Sequence, residues 1–578
     1  MVGVVGSSIP ENTPHAVSVS LPTWKSIVGY EEGAEWVISK MKTGYPRFFI
    51  HKSIQKLAST ILSKFGQPGE EAMLFPTPCV AARCRQFIKA TSQTTPAPTI
   101  RVVEFVSRAG KGSYGDGRPI SSDLCAVMYP AGEAKVAKQF WQHTGDGVSS
   151  RRAEFCQREF DEGLLVEKST IATQSPPRIS RGPKRYSRGD VQFKSFSPGE
   201  EEQDTFVEER FGRNLDLAFV DSAKLAIRRR IAGSLKVNTE LKDALELPNE
   251  DGRMAEGFSE NDVYLYPTGM SAIFNTHRML MVTLGPSKSV CYGFPYIDTL
   301  KILERFGPGC HFYGHGSSEE LDDLEQKLES EERILVLFCE FPSNPLLRAP
   351  DLQRIKALAD KYGFAVVVDE TVGNFLNVHV LPYADVVVSS LTKVFSGDSN
   401  VMGGSSILNP KGRYYNQLKE ALTADYEDNH WCEDALFLER NSRDFVSRIE
   451  RINRNAEAVA DLLKSHPRIK RVYYPKYSPT KPFYDSCRRP GGGYGGLLSV
   501  TFHTTQDAIR SFDALEVSKG PSLGTNFTLA SPYTLLAHYG ELDWAAGYGV
   551  EENLVRVSVG LEETGELLET FKKALGAL

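Results

Sequence analysis

The chain of 578 residues predicts an α/β protein in which a large domain, a mostly parallel sheet with helices on both faces, is followed by a smaller α+β C-terminal domain. An extra N-terminal region precedes both. Three observations carry this expectation. The segments 333–338, 364–368 and 385–388 are continuous apolar runs rather than alternating ones, as strands of a parallel sheet covered on both faces require. Between the first two runs, Leu352, Ile355, Leu358 and Ala359 form one helical stripe, and Gly363 supplies its stop. Past residue 446 the pattern changes: a long helical segment, Ser447 to Ser465, leads to a strand around Val472, a second strand from Gly496 to Phe502 and a closing helix from Thr564 to Leu578.

Taken in order, residues 1–170 form the N-terminal region, which Trp24, Trp36, Trp141 and the apolar run 99–106 mark as folded. No catalytic constellation is legible there, and Cys79, Cys84 and His143 do not match a standard zinc spacing. Residues 171–205 carry Pro176, Pro177, Pro183 and Pro198, with a basic half followed by Glu200, Glu201 and Glu202; they read as a solvated linker or mobile insertion. The large domain is expected over 206–445 and the small one over 446–578.

A formal net charge of −6 gives no general attraction for nucleic acid or an anionic membrane, so small-molecule substrates are expected. The nine cysteines are scattered without a C-x-x-C pair and read as free thiols in a reducing compartment. The N-terminus lacks a basic stretch followed by a long apolar one, and no run approaches the ~20 apolar residues of a membrane span. A cytoplasmic protein is the expectation.

Lys393 follows the apolar run 385–388 in the stretch Ser389-Ser390-Leu391-Thr392-Lys393, so a lysine flanked by small hydroxyl residues stands at a strand end. That is the setting of a Schiff-base lysine, which needs donors for a cofactor phosphate and a carboxylate for a ring nitrogen. Asp369 ends another apolar strand, where a carboxylate is costly unless it meets a cation. Tyr266-Pro267-Thr268-Gly269-Met270-Ser271 leads into a helical pattern whose first N–H groups suit a phosphate. Taken singly, Tyr296 reads as a packing aromatic and Asn344, in Pro342-Ser343-Asn344-Pro345, as a turn former.

In their order along the chain these pieces resemble the Cys/Met-metabolism family of pyridoxal-phosphate enzymes, of the PLP-dependent transferase fold type I, and within it the fungal cystathionine γ-synthases. The resemblance runs from about Glu208 to the C-terminus. It implies pyridoxal 5′-phosphate as cofactor, with Lys393 as the Schiff-base lysine, Asp369 on the pyridine nitrogen and Tyr296 stacked on the ring and acting as a base toward the substrate amine. Gly269, Met270, Ser390 and Thr392 would hold the phosphate, and Asn344 would contact the cofactor hydroxyl and the substrate. Arg556, in Arg556-Val557-Ser558-Val559-Gly560, would clamp the substrate α-carboxylate through the bidentate geometry of its guanidinium, and Ser522 would line the site. Where many members carry Y-x-R, this chain has Phe211-Gly212-Arg213, so only Arg213 carries over, as a reach to a neighbouring subunit's phosphate. A homodimer or homotetramer follows from that reading.

The activity implied is γ-replacement, in which the acyl group of O-acetyl- or O-succinyl-L-homoserine gives way to L-cysteine, yielding L-cystathionine in the trans-sulfuration route of methionine biosynthesis. Motifs shared across the family leave other nucleophiles open, including sulfide and carbon or nitrogen nucleophiles, as well as C–S lyase outcomes. A regulatory binding protein would need none of Lys393, Asp369, Tyr296 and Arg556 together.

Overall fold

The structure, a computed structural model, describes residues 3–108, 112–114, 118–120, 122–172, 219–246, 253 and 256–578. Nearly all of the segment read as a linker, 171–205, lies outside the described residues, and so does Arg213.

The start of the chain packs against its end. Val17 donates its N–H to the Ser399 carbonyl at 2.8 Å, and Leu21 donates to the Lys519 carbonyl at 2.9 Å. Helix α1 (Trp24–Glu31) begins where the Thr23 hydroxyl accepts the Ser26 N–H. It buries Trp24 and Ile27 in a core shared with Val459, Leu498, Phe512 and Val557. The region expected over 1–170 therefore divides its packing, because the apolar face of its first forty residues finds its partner surface in the C-terminal sheet.

The chain after it builds a separate core. Helices α2 (Lys52–Phe65), α3 (Pro78–Thr91), α4 (Ala134–Thr144) and α5 (Ser150–Asp161) accompany strands β1 (Glu70–Phe75), β2 (Arg101–Ser107), β3 (Leu124–Pro130) and β4 (Leu165–Glu167). The strands form an antiparallel sheet in the order β1-β3-β2-β4. Helices α3 and α4 lock this unit to the next, with Phe87 stacked on Phe306 at 4.9 Å and Phe140 edge-on to Phe274 at 6.5 Å.

The large sheet comprises β5 (Val263–Tyr266), β6 (Lys288–Tyr292), β7 (Cys310–Tyr313), β8 (Ile334–Glu340), β9 (Ala365–Asp369), β10 (Val386–Ser390) and β11 (Gly404–Leu408). Its order is β5-β11-β10-β9-β8-β6-β7. The five strands β10, β9, β8, β6 and β7 run parallel, while β11 lies antiparallel between β10 and β5. Side chains alternate between two covered faces: Leu337, Val366 and Val368 enter one core, and Val336, Val367 and Val388 the other. Strand β8 continues two residues past the expected end at Phe338, because its backbone still pairs with β9 through Glu340 opposite Asp369.

Helices α6 (Gly269–Leu284), α7 (Ile297–Arg305) and α8 (Leu352–Tyr362) cover this sheet. The stripe of α8 buries Leu352, Ile355 and Leu358, each contributing about 2 kcal/mol, and Gly363 ends it with φ of +78°. Helix α9 (Phe445–Lys464) leads to a five-stranded sheet of β12 (Ile469–Tyr473), β13 (Leu497–Phe502), β14 (Ser518–Lys519), β15 (Leu529–Pro532) and β16 (Val555–Ser558), in the order β12-β13-β16-β15-β14. Helix α10 (Thr564–Leu575) closes the chain against α9. Among the described residues no helix is long and apolar enough to cross a membrane.

Candidate active site

A cavity of about 210 Å³ opens past the carboxyl ends of β8, β9 and β10, the position where open parallel sheets bind their ligands. Strand β9 ends at Asp369, whose Oδ1 accepts the Thr371 N–H at 2.8 Å. Burial pushes this carboxyl up to about 6 against that hydrogen bond. Strand β10 ends at Ser390, and the chain then turns so that Thr392 and Lys393 also line the cavity. The Thr392 hydroxyl donates to the Gly403 carbonyl at 3.3 Å and accepts the Gly403 N–H at 3.1 Å, which fixes the turn. Lys393 Nζ donates to the Ser522 hydroxyl at 2.9 Å and to the Tyr45 hydroxyl at 2.9 Å.

Helix α6 starts on the cavity wall, where the Thr268 hydroxyl caps the Ser271 N–H at 3.0 Å. Gly269 and Met270 occupy the first helical positions, whose N–H groups have no partner within the helix. Gly269 is required there by contact: a Cβ would stand 2.6 Å from Ser390 Cβ.

From the second sheet, β16 contributes Arg556, a buried guanidinium. It donates to Asn344 Oδ1 at 3.0 Å and to the Ser522 carbonyl at 2.6 Å, and the Tyr533 ring lies 4.6 Å from it. No carboxylate pairs with it among the described residues, and burial pulls its ionisation down. Ser522 holds φ of +89°, a left-handed conformation costly for a serine, at the point where it meets both cations. Tyr296 precedes α7, and its N–H donates to Glu340 Oε1; burial pushes its phenol well above the usual range.

Lys393, Tyr296, Asp369, Gly269, Met270, Ser390, Thr392, Asn344, Arg556 and Ser522 thus all line this one cavity. Reasoning from sequence missed Tyr45 and Arg47, which line it too, and placed Glu340 at the strand ends where catalytic groups sit without giving it a role. Glu340 carried a signal, as an acid ending an apolar strand. Tyr45-Pro46-Arg47 lies in an irregular segment, and its one signal was that it spells the Y-x-R pattern that the chain lacks at Phe211-Gly212-Arg213.

These residues fit pyridoxal phosphate. The buried Asp369 carboxyl faces the cavity with raised affinity for a proton, as expected of a group waiting for a ring cation. The helix start at Gly269 lines the cavity, is closed to any Cβ, and carries N–H groups of the kind that bind anions. Lys393 presents to the cavity an amine of the kind to which an aldehyde cofactor attaches.

Two family models match the chain: "Cys/Met metabolism PLP-dependent enzyme" over residues 251–576 and "Fungal trans-sulfuration enzyme, N-terminal domain" over residues 53–149. A cystathionine gamma-synthase of Neurospora crassa is 52% identical, over 99% of this chain and 98% of that protein. A cystathionine gamma-synthase-like enzyme of Amanita muscaria is 44% identical over 99% and 96%, and a cystathionine gamma-synthase of Saccharomyces cerevisiae is 41% identical over 99% and 98%. Similarity that spans the cavity, both sheets around it and the N-terminal unit leaves no part of the site to another lineage, and the chain belongs to the Cys/Met-metabolism family of PLP-dependent enzymes.

Proposed function

We propose that this protein is a cystathionine γ-synthase, replacing the γ-acyl group of an O-acyl-L-homoserine with the sulfur of L-cysteine. The observation that carries the reading is the double engagement of Ser522. Its hydroxyl holds the Lys393 amine, and its carbonyl holds the Arg556 guanidinium. A proton-moving amine and a buried guanidinium that pairs with no carboxylate among the described residues are thereby held by one residue, as an α-amino acid needs when its carboxylate is clamped beside the group that takes its Cα proton.

The cofactor, when bound, supplies an electron sink for the charge left at Cα. Arg556 seats the substrate α-carboxylate, and Asn344, already tied to it at 3.0 Å, fixes the orientation of the guanidinium. Lys393 takes the Cα proton and relays it, which frees the amine to take a second proton from Cβ as the acyl carboxylate departs from Cγ. Cysteine thiolate adds at Cγ, and the protons return in reverse order to release L,L-cystathionine. Asp369 would hold the cofactor ring nitrogen, Gly269, Met270 and Ser390 would hold its phosphate and Tyr296 would supply a ring face, while Thr392, whose hydroxyl proton goes to the Gly403 carbonyl, would shape the turn beside the phosphate. The relatives named cystathionine gamma-synthase support cysteine as the nucleophile.

A homodimer or homotetramer in the cytoplasm completes the proposal, resting on the expected reach of Arg213 to a neighbouring subunit. Sedimentation as a monomer would remove that assignment. For the reaction, purified protein is incubated with O-acetyl- or O-succinyl-L-homoserine and either cysteine or sulfide, and the products are identified by mass spectrometry. Cystathionine is expected with cysteine; efficient turnover only with another nucleophile overturns the reading.

A further inference from the structure

Residues 1–52 fall outside both matched family models, yet Tyr45 and Arg47 stand in the cavity. The segment is brought there by its anchorage on the C-terminal sheet. Ser18 donates its hydroxyl proton to the Pro521 carbonyl at 2.6 Å, beside Ser522, and a turn closed by the Phe48 N–H to the Tyr45 carbonyl at 2.9 Å presents Tyr45. Its hydroxyl accepts from Lys393 Nζ at 2.9 Å, and Nζ lies 4.9 Å from the ring centroid. Arg47 pairs with the buried Asp298 carboxylate and lays its guanidinium 4.9 Å from the Tyr296 ring and 4.6 Å from the Phe48 ring. Asp298 is held in turn by Gln142 Nε2 at 3.3 Å and lies 3.7 Å from His143 Nε2, so helix α4 clamps the same arm.

We propose that Tyr45 is a catalytic residue of this enzyme, its phenolic oxygen taking and returning a proton of the Lys393 ε-amine, with Arg47 as the positioning residue that holds it in place. In the transfer an N–H bond of the ammonium breaks and an O–H bond forms on the phenolate, leaving a neutral amine and a neutral phenol. Nothing is oxidised or reduced. Burial alone pushes the Tyr45 phenol up, but the facing cations Lys393, Arg47 and Arg556 outweigh it and bring its ionisation below the ordinary phenol value. The other phenols of the cavity, Tyr296 and Tyr533, are pushed up. Of the three, Tyr45 is the one suited to accept a proton, and Tyr296 is left with its ring surface.

The inference rests on the cofactor class of the proposed function and is independent of the nucleophile. Its test uses the full-length, cofactor-loaded protein, first without substrate. The pH midpoint of the visible absorbance of the bound cofactor is compared between wild type and Tyr45→Phe, since loss of an ionisable oxygen beside Nζ disfavours the protonated nitrogen. A downward shift of about one unit is expected. With substrate, a roughly 100-fold fall in kcat is expected. In Arg47→Gln the acid limb of the kcat profile moves to higher pH, because removing a cation raises the Tyr45 ionisation. An unmoved midpoint in Tyr45→Phe, or activity lost only in proportion to lost cofactor or lowered Tm, overturns the proposal. Should Tyr45→Phe fail to fold, an unmoved acid limb in Arg47→Gln overturns it. A shifted midpoint in an enzyme that makes no cystathionine sinks the choice of nucleophile and leaves Tyr45 standing.

Discussion

Glu340 and Asp369 stand opposite each other at the ends of the adjacent parallel strands β8 and β9, and both line the cavity. Burial, reinforced by the Asp369 charge, pushes the Glu340 carboxyl up to about 8, although it accepts the N–H groups of Tyr296 and, at 2.8 Å, Asn344. With Glu340 holding its proton at neutral pH, the negative charge of the pair rests on Asp369. Glu340 also fixes two site residues through their backbones.

Stability of the cofactor-free protein should therefore fall as pH rises. Between its ordinary value of 4.5 and about 8, Glu340 binds more protons in the folded than in the unfolded chain, so raising pH through this window costs stability. The slope from this one group is at most about 1.4 kcal/mol per pH unit. Glu340→Gln should flatten the decline, as measured by urea unfolding at pH 5 and pH 8; equal slopes in the two proteins would refute the assignment.

Cofactor binding should weaken at acid pH for a different reason. Asp369 must be ionised to pair with a ring cation, and its carboxyl takes up a proton at about 6. Affinity is expected to fall progressively below that pH in wild type. Asp369→Asn should lose about 2 kcal/mol, roughly 30-fold in Kd, and show a flatter pH dependence in equilibrium titration.

Arg556→Lys keeps the charge and removes the planar fork that spans Asn344 and Ser522. The expected result is a fall in kcat/KM for the amino-acid substrate of about 30-fold, about 2 kcal/mol, with cofactor occupancy unchanged. Steady-state kinetics beside the visible spectrum separate the two; loss of cofactor would show that Arg556 serves another purpose.

Gly269→Ala places a methyl 2.6 Å from Ser390 Cβ and 3.0 Å from its Cα. Because the backbone atom cannot rotate away, the start of α6 has to shift, at a cost of about 1–3 kcal/mol. Weaker cofactor binding and a lowered Tm are expected together. Wild-type values for both would mean that the helix start does not need this close approach.

Much of this site was legible because each of its parts is local. Asp369 and Lys393 announce themselves as polar residues at the ends of apolar runs, and the Gly269 segment as a glycine opening a helical pattern. Glu340 had the same signal at the end of β8. The Thr392 hydroxyl was legible as a small donor beside Lys393, but its commitment to Gly403 depends on a return of the chain that the motif does not contain.

By itself the sequence determined the alternating α/β order and the place of Asp369, Ser390, Thr392 and Lys393, since strand ends in a parallel sheet converge wherever the sheet is built, while the resemblance to the family brought in Tyr296, Asn344, Ser522 and Arg556. Only the tertiary structure decided that the first fifty residues belong to that wall. Tyr45 and Lys393 are 348 positions apart, and their contact depends on Leu21, Trp24 and Ile27 finding the C-terminal core. No periodicity in Tyr45-Pro46-Arg47 encodes that contact, because burial of an apolar face elsewhere on the segment is what carries the tyrosine to the lysine.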